Sequence, residues 1–175
     1  MFSKTFFVCF FLTLHSEGLS MMCRWMDHKF SQHSESSLAL LRVMGGSFTM
    51  DTTEVPFPNA LYTQASEASS ADQLVFMVQT LEEMAGLFEE DQQAVSWEES
   101  SVDDFLNVVA QQAEGLRSCM VSQKQSKKLH MYFKRLSHVL KQKGHSAEAW
   151  ELIRKEIRMH LLKIDLLASS AFNTA

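Results

Sequence analysis

Glycine and proline are scarce in this chain, 6 and 2 of 175 residues. So few backbone breaks exclude a fold built from many short strands and tight turns. Cysteine is scarce as well, with 3 in all, too few for a disulfide-dense mini-domain. Asn59, Asn107 and Asn173 open no Asn-x-Ser/Thr sequon, so N-glycosylation is not expected. No run reaches the roughly 18 apolar residues that a membrane span needs, which argues against membrane insertion. The formal charge is only −5, and without a long basic run a nucleic-acid partner is not expected. His28, His33, His130, His138, His145 and His160 form no HExxH spacing with acidic partners, so no metal is expected. Ser, His and Asp occur, but no GxSxG elbow positions them for nucleophilic attack. The chain reads as a non-enzyme with no cofactor.

What is present begins at the N-terminus. Lys4 supplies a short positive region, and Thr5 to Leu14 (TFFVCFFLTL) is an apolar run of signal-peptide length. Small residues at Gly18 and Ser20 suit cleavage after Ser20, with cleavage after Gly18 as second choice and a buried N-terminal helix as the alternative. Residues 1–20 are therefore expected to be a secretory signal peptide. Residues 21–175 are expected to be a single extracellular domain, long enough for a sizeable core. Cys9 leaves with the signal. Cys23 and Cys119 remain in an oxidising compartment, where one disulfide is expected and free or intermolecular thiols are the alternative. Zinc is disfavoured, because two cysteines without CxxC spacing make a weak ligand set.

The rest of the chain reads as helices, in a vocabulary rich in Ala, Leu, Met, Glu, Gln and Lys. The first is expected over about 23–44, ended by Gly45-Gly46. A long connection follows over about 45–69, with Pro56-Phe57-Pro58 and a Ser/Thr-rich stretch, its apolar residues packing across the molecule. The second helix is expected over about 71–90 behind a Ser70–Gln73 capping box. Leu74, Met77, Val78, Leu81, Met84, Leu87 and Phe88 give it a continuous i, i+3, i+4 stripe. The third is expected over about 102–121, with Ser101 as N-cap and Gln112 interrupting its stripe. The fourth is expected over about 127–141 with Tyr132, Phe133, Leu136, Val139 and Leu140 inward. The fifth spans about 147–169 on Trp150, Ile153, Ile157, Leu161 and Ile164. Leu152, Met159, Leu162 and Leu166 widen that stripe, so the helix is expected to be buried over much of its circumference. Trp25, Trp97 and Trp150 read as packing anchors. Five helices with a long first connection point to an all-α, long-chain helical cytokine bundle whose first two helices run parallel.

Several segments, in order along the mature chain, resemble type I interferons, and among those the fish type with two mature cysteines. The likeness rests on Leu87-Phe88, on Trp97-Glu98-Glu99-Ser100 with Asp103 and Phe105, and on Cys119. It continues through Tyr132-Phe133-Lys134-Arg135 with Leu140, Ser146 to Glu151, and Arg154-Lys155-Glu156-Ile157. Many mammalian relatives carry a second disulfide. Here Glu148 occupies its late position and no Cys lies between Gly45 and Ala71, so both partners are absent together.

The resemblance implies a secreted antiviral cytokine, a monomer, that joins two different class II cytokine receptor chains and so triggers kinase-coupled transcription of antiviral genes. It implies that the first loop and the last helix meet the tighter-binding chain, with Arg154 at that face. Lys155 and Arg158 are added as its helical neighbours, with a merely solvated charged face as the alternative. Ala85, Leu106 and Ala110 differ from the larger groups common in relatives, so contacts on the second receptor face are not carried over. Another helical cytokine or hormone, or a secreted enzyme or carrier of small apolar ligands, remains as the alternative.

Overall fold

The computed structural model describes residues 29–120 and 124–173. The expected signal segment, Cys23 and Trp25 lie outside the described residues. Six helices are present among those described: α1 over 29–45, α2 Asn59–Ser66, α3 Ser70–Leu87, α4 Glu99–Arg117, α5 Lys127–Gln142 and α6 Ala147–Asn173. The expectation of five helices is thus corrected to six. The additional one is α2, inside the segment read as an irregular connection. It starts directly after Pro58, and only Tyr62 and Ala65 are buried on it. So short a helix is marginal alone and persists by packing against its neighbours.

α3 is the central helix. Residues 73–81 are buried without interruption, because α4, α5, α6 and α2 all pack around it. Its N-cap is Ser69, whose hydroxyl accepts from Asp72 N–H and donates to Asp72 Oδ2 at 2.7 Å. The N-cap is therefore Ser69, one residue earlier than the expected Ser70. α4 begins at Glu99 rather than Val102, with Glu98 as an N-cap that makes no side-chain bond, so Ser101 is already inside the helix. Gln112 is buried in the α4 stripe, as the spacing placed it.

Side-chain bonds fix the helix directions. Gln79 and Ser126, Glu83 and His130, and Glu90 and Ser137 pair at a constant separation of 47 residues, so α3 and α5 run parallel. Gln79 clamps the start of α5 twice, donating to Ser126 O at 3.0 Å and accepting from Ser126 N at 2.7 Å. Phe88 near the end of α3 meets both Phe105 early in α4 and Trp150 early in α6, so both of those helices run against α3. The end of α1 also meets the first turns of α6, through Arg154, so α1 and α3 point the same way.

Glu90 closes the α5–α6 turn. It accepts from Ser137 at 2.7 Å, Lys141 at 2.9 Å and His145 at 3.2 Å. Burial alone would raise this carboxyl, but those three partners outweigh it and hold it down at about 2. The turn itself places Gly144 at φ +60° and His145 at φ 52°, a helix stop in which His145 N–H reaches Leu140 O at 2.8 Å.

Candidate functional site

Arg154 organises the contact between the last helix and the first loop. It lies one turn after Trp150 and one turn before Ile157, within the apolar stripe of α6. Its exposure is 0%. Nη1 donates to the carbonyls of Leu41 (2.9 Å) and Gly46 (3.3 Å), and Nη2 to those of Gly45 (3.2 Å) and Ser47 (2.9 Å). Glu151 takes the remaining bonds, from Nε at 2.9 Å and Nη2 at 2.6 Å. A planar guanidinium with five donors suits this task, since the last carbonyls of α1 and those just beyond it have few helical partners.

The loop is shaped to receive that charge. Gly46 sits at φ +66°, where a side chain is strained, and its N–H closes α1 on Arg42 O at 2.8 Å. Gly45 has no Cβ because the guanidinium lies against it: a Cβ there would come within 2.6 Å of Arg154 Nε. Phe48 then turns its ring to the cations, with Arg154 Cζ 4.1 Å and Arg158 Cζ 5.1 Å from its centroid. Farther along, Lys155 Nζ donates to the carbonyls of Met50 (3.1 Å) and Asp51 (2.6 Å). Three successive basic positions of α6 thus hold residues 41–51 to the helix.

Behind this contact stands an aromatic brace. Glu151 Oε1 accepts from Trp97 Nε1 at 3.2 Å, and Trp150 Nε1 donates to Asp91 O at 2.8 Å. The Trp97 and Trp150 rings meet edge-on at 5.7 Å, beside Phe88. One carboxylate therefore ties the α3–α4 connection to the arginine that holds the first loop. Further along α6, His160 is enclosed by Phe57, Tyr62, Tyr132 and Phe133, with Nδ1 2.6 Å from Tyr62 Oη. Burial drives its imidazole down to about 3, and its Nε2 has no hydrogen-bond partner among the described residues. Tyr132 donates to buried Glu156 at 2.8 Å. Burial raises the Glu156 carboxyl, against the pull of Tyr132 and Lys155, and raises both tyrosines.

The three basic residues singled out in the sequence are thus adjacent but unequal. Arg158 is exposed, Lys155 is half-buried over the loop, and Arg154 is wholly internal. Arg154 does not present itself to solvent as the surface reading expected; its position on the buried stripe explains why. Leu162 and Leu166, expected in the core, are instead 39% and 67% exposed. They fall on one row with Arg158 at four-residue steps along α6. Gly45, Phe48 and Glu151 were missed as parts of the site. Cys119, just past α4, is buried and disulfide-bonded, its partner lying outside the described residues.

No group of three or more His, Cys, Asp or Glu among the described residues could hold a metal ion, and no helix among them is long and apolar enough to cross a membrane. Among the described residues, six bundled helices with the first loop locked onto an arginine and a lysine of the last one have the architecture of a helical cytokine. A family model described as the interferon alpha/beta domain matches residues 26–171. Interferon a3 of Oncorhynchus mykiss is 37% identical over 175 residues, covering 98% of this chain and 100% of that one. Interferon alpha-B of Bos taurus is 26% identical over 147 residues, covering 75% of this chain and 77% of its own. The solved structure of zebrafish interferon 1 superposes with a TM-score of 0.76 at 33% identity, over 83% of this chain and 98% of that one. The chain belongs to the interferon alpha/beta family and is a fish-type type I interferon. It is a secreted antiviral cytokine that works by binding a receptor, in a non-catalytic family.

Proposed function

We propose that the mature chain, residues 21–175, acts as a monomer that joins two different class II cytokine receptor chains, bringing their kinases together to start antiviral transcription. The tighter-binding chain meets the surface formed by the first loop and α6. The observation that carries this reading is Arg158 against the loop that Arg154 and Lys155 hold in place, with exposed Leu162 and Leu166 continuing its row along α6. Arginine is a frequent interface anchor, and exposed leucines beside it supply apolar area for a partner to bury. Met50, 91% exposed at the loop's crest, extends the apolar area next to Lys155. In this reading Arg154 is a positioning residue, whereas Lys155 and Arg158 bear on the receptor.

The test separates those roles. Leu162→Ala should melt as the wild type does and Arg158→Glu within about 2–4 °C of it, while binding to the host's receptor ectodomain weakens at least about tenfold, as anchor truncations do, and antiviral protection falls in step. Full binding and protection by both variants would remove this face from the receptor contact.

A further inference from the structure

Charge is segregated along this chain. Eight of its 16 Lys and Arg lie between residues 115 and 147, a stretch without a single Asp or Glu, in a protein of net charge −5. α5 carries the centre of it. Lys127, Lys134 and Lys141 recur at seven-residue steps, as do Lys128 and Arg135, and all five are exposed. A seven-residue repeat drifts only about 20° per heptad on a straight helix, so these form two rows along one face. The first row spans about 21 Å at 1.5 Å per residue. Met131 and His138 lie between the rows, while the opposite side of α5 is buried through Leu129, Tyr132, Phe133, Leu136 and Leu140.

Acid partners engage only one margin of this face, where Glu83 meets His130 and Glu90 meets Lys141. Lys127, Lys128, Lys134 and Arg135 make no ion pair among the described residues. Carrying four unneutralised like charges on one helix face costs free energy in the isolated protein. A polyanion would remove that cost and release counterions. Met131 is the only large apolar side chain exposed on α5, and lysine is depleted in the cores of protein interfaces. A membrane would need the apolar side of α5, and that side is already in the core.

We propose that the outer face of α5 binds a sulfated glycosaminoglycan chain, the extended polyanion that a secreted protein meets at cell surfaces, with Lys127, Lys128, Lys134 and Arg135 reading its sulfates. This surface is separate from the Arg158 row on α6. It would concentrate the cytokine near the cells that release or receive it.

The test uses immobilised heparin as the probe, with binding followed over a range of salt. Lys128→Gln combined with Arg135→Gln should weaken binding about tenfold or more and lower the slope of log affinity against log salt by roughly one to two. Arg42→Gln combined with Lys163→Gln removes the same charge from exposed sites elsewhere and should leave both nearly unchanged. On cells stripped of sulfated chains the α5 variant should match the wild type in antiviral potency. Equal losses from the two double variants would overturn the proposal, as would binding to phosphatidylserine vesicles or duplex DNA as tight as to heparin. Loss of potency on the stripped cells would also overturn it and assign α5 to a receptor contact.

Discussion

Arg154 and Gly45 are fitted to each other: the guanidinium donates to Gly45 O at 3.2 Å and fills the space where a side chain at position 45 would begin. The pairing makes two different substitutions fail for one reason. Gly45→Ala pushes a methyl into a group already fixed by Leu41, Gly46, Ser47 and Glu151, and should destabilise by about 1–3 kcal/mol. Arg154→Lys cannot reproduce the planar fork and leaves buried carbonyls unsatisfied, so it should cost about 3 kcal/mol or more. Chemical denaturation of the two single variants and the double checks this. The double should lose clearly less than the sum, since a lysine leaves room for the methyl.

Phe48 stands against both Arg154 and Arg158, one buried and one exposed. Its ring therefore passes the order of the interior to a surface arginine. A double-mutant cycle between Phe48→Ala and Arg158→Ala should give a coupling of about 0.5–1 kcal/mol in stability, the range of an exposed cation–π contact. In receptor binding, Phe48→Ala should reproduce part of the Arg158→Ala loss with Arg158 intact. Additive effects in both measurements would show that Arg158 is held by something other than Phe48.

Helical stripes were the legible part of the sequence, because period is carried by side chains that the core selects. Leu74 to Phe88 and Trp150 to Ile164 lie inward as spaced. α2 was not legible, since Pro56 and Pro58 punctuate its entry and it offers just two buried residues. It exists because Tyr62 reaches His160 on α6 and the Phe76 ring on α3, partners 98 and 14 positions away. Arg154 was misplaced by weighing its charge above its position. Its spacing from Trp150 and Ile157 pointed inward, and only the carbonyls of a distant loop make that burial tolerable. His160 lies on the same stripe by the same rule. Leu162 and Leu166 are the converse, apolar residues just off the stripe and left exposed among the described residues.

His160 should make stability fall in mild acid. Its folded value is about 3 against an ordinary 6.5, so the fold favours the neutral ring. That contribution is complete above about pH 6.5 and is lost as pH drops from there toward 3. At about 1.4 kcal/mol per unit, the full loss is on the order of 4–5 kcal/mol. The groups around the ring are Tyr62, Tyr132 and, through Tyr132, Glu156. The tyrosines stay neutral throughout. Glu156, raised by burial, works in the opposite sense, since its protonation in acid favours the fold. Denaturation at pH 7, 5.5 and 4 should show a decline for the wild type that His160→Phe largely flattens, whatever that variant's absolute stability. Equal slopes for the two proteins would remove His160 as the titrating group.

Cys119 is buried at the end of α4 and disulfide-bonded. With residues 1–20 removed, the one cysteine left to pair with it is Cys23. Such a bridge would tie residue 23, ahead of α1, to the end of α4. A closed loop of nearly a hundred residues is worth about 4–5 kcal/mol in the chain-entropy account, and strain or residual unfolded structure reduces that figure. Cys23→Ser should therefore lower Tm substantially, and Cys23→Ser with Cys119→Ala should lower it little further, because the two act as one unit. Three cysteines allow a single intramolecular bridge, so no second one can compensate. Intact mass after alkylation without reduction should show no modified thiol in the secreted wild-type protein. Two alkylated cysteines, or a Cys23→Ser variant that melts with the wild type, would refute the pairing.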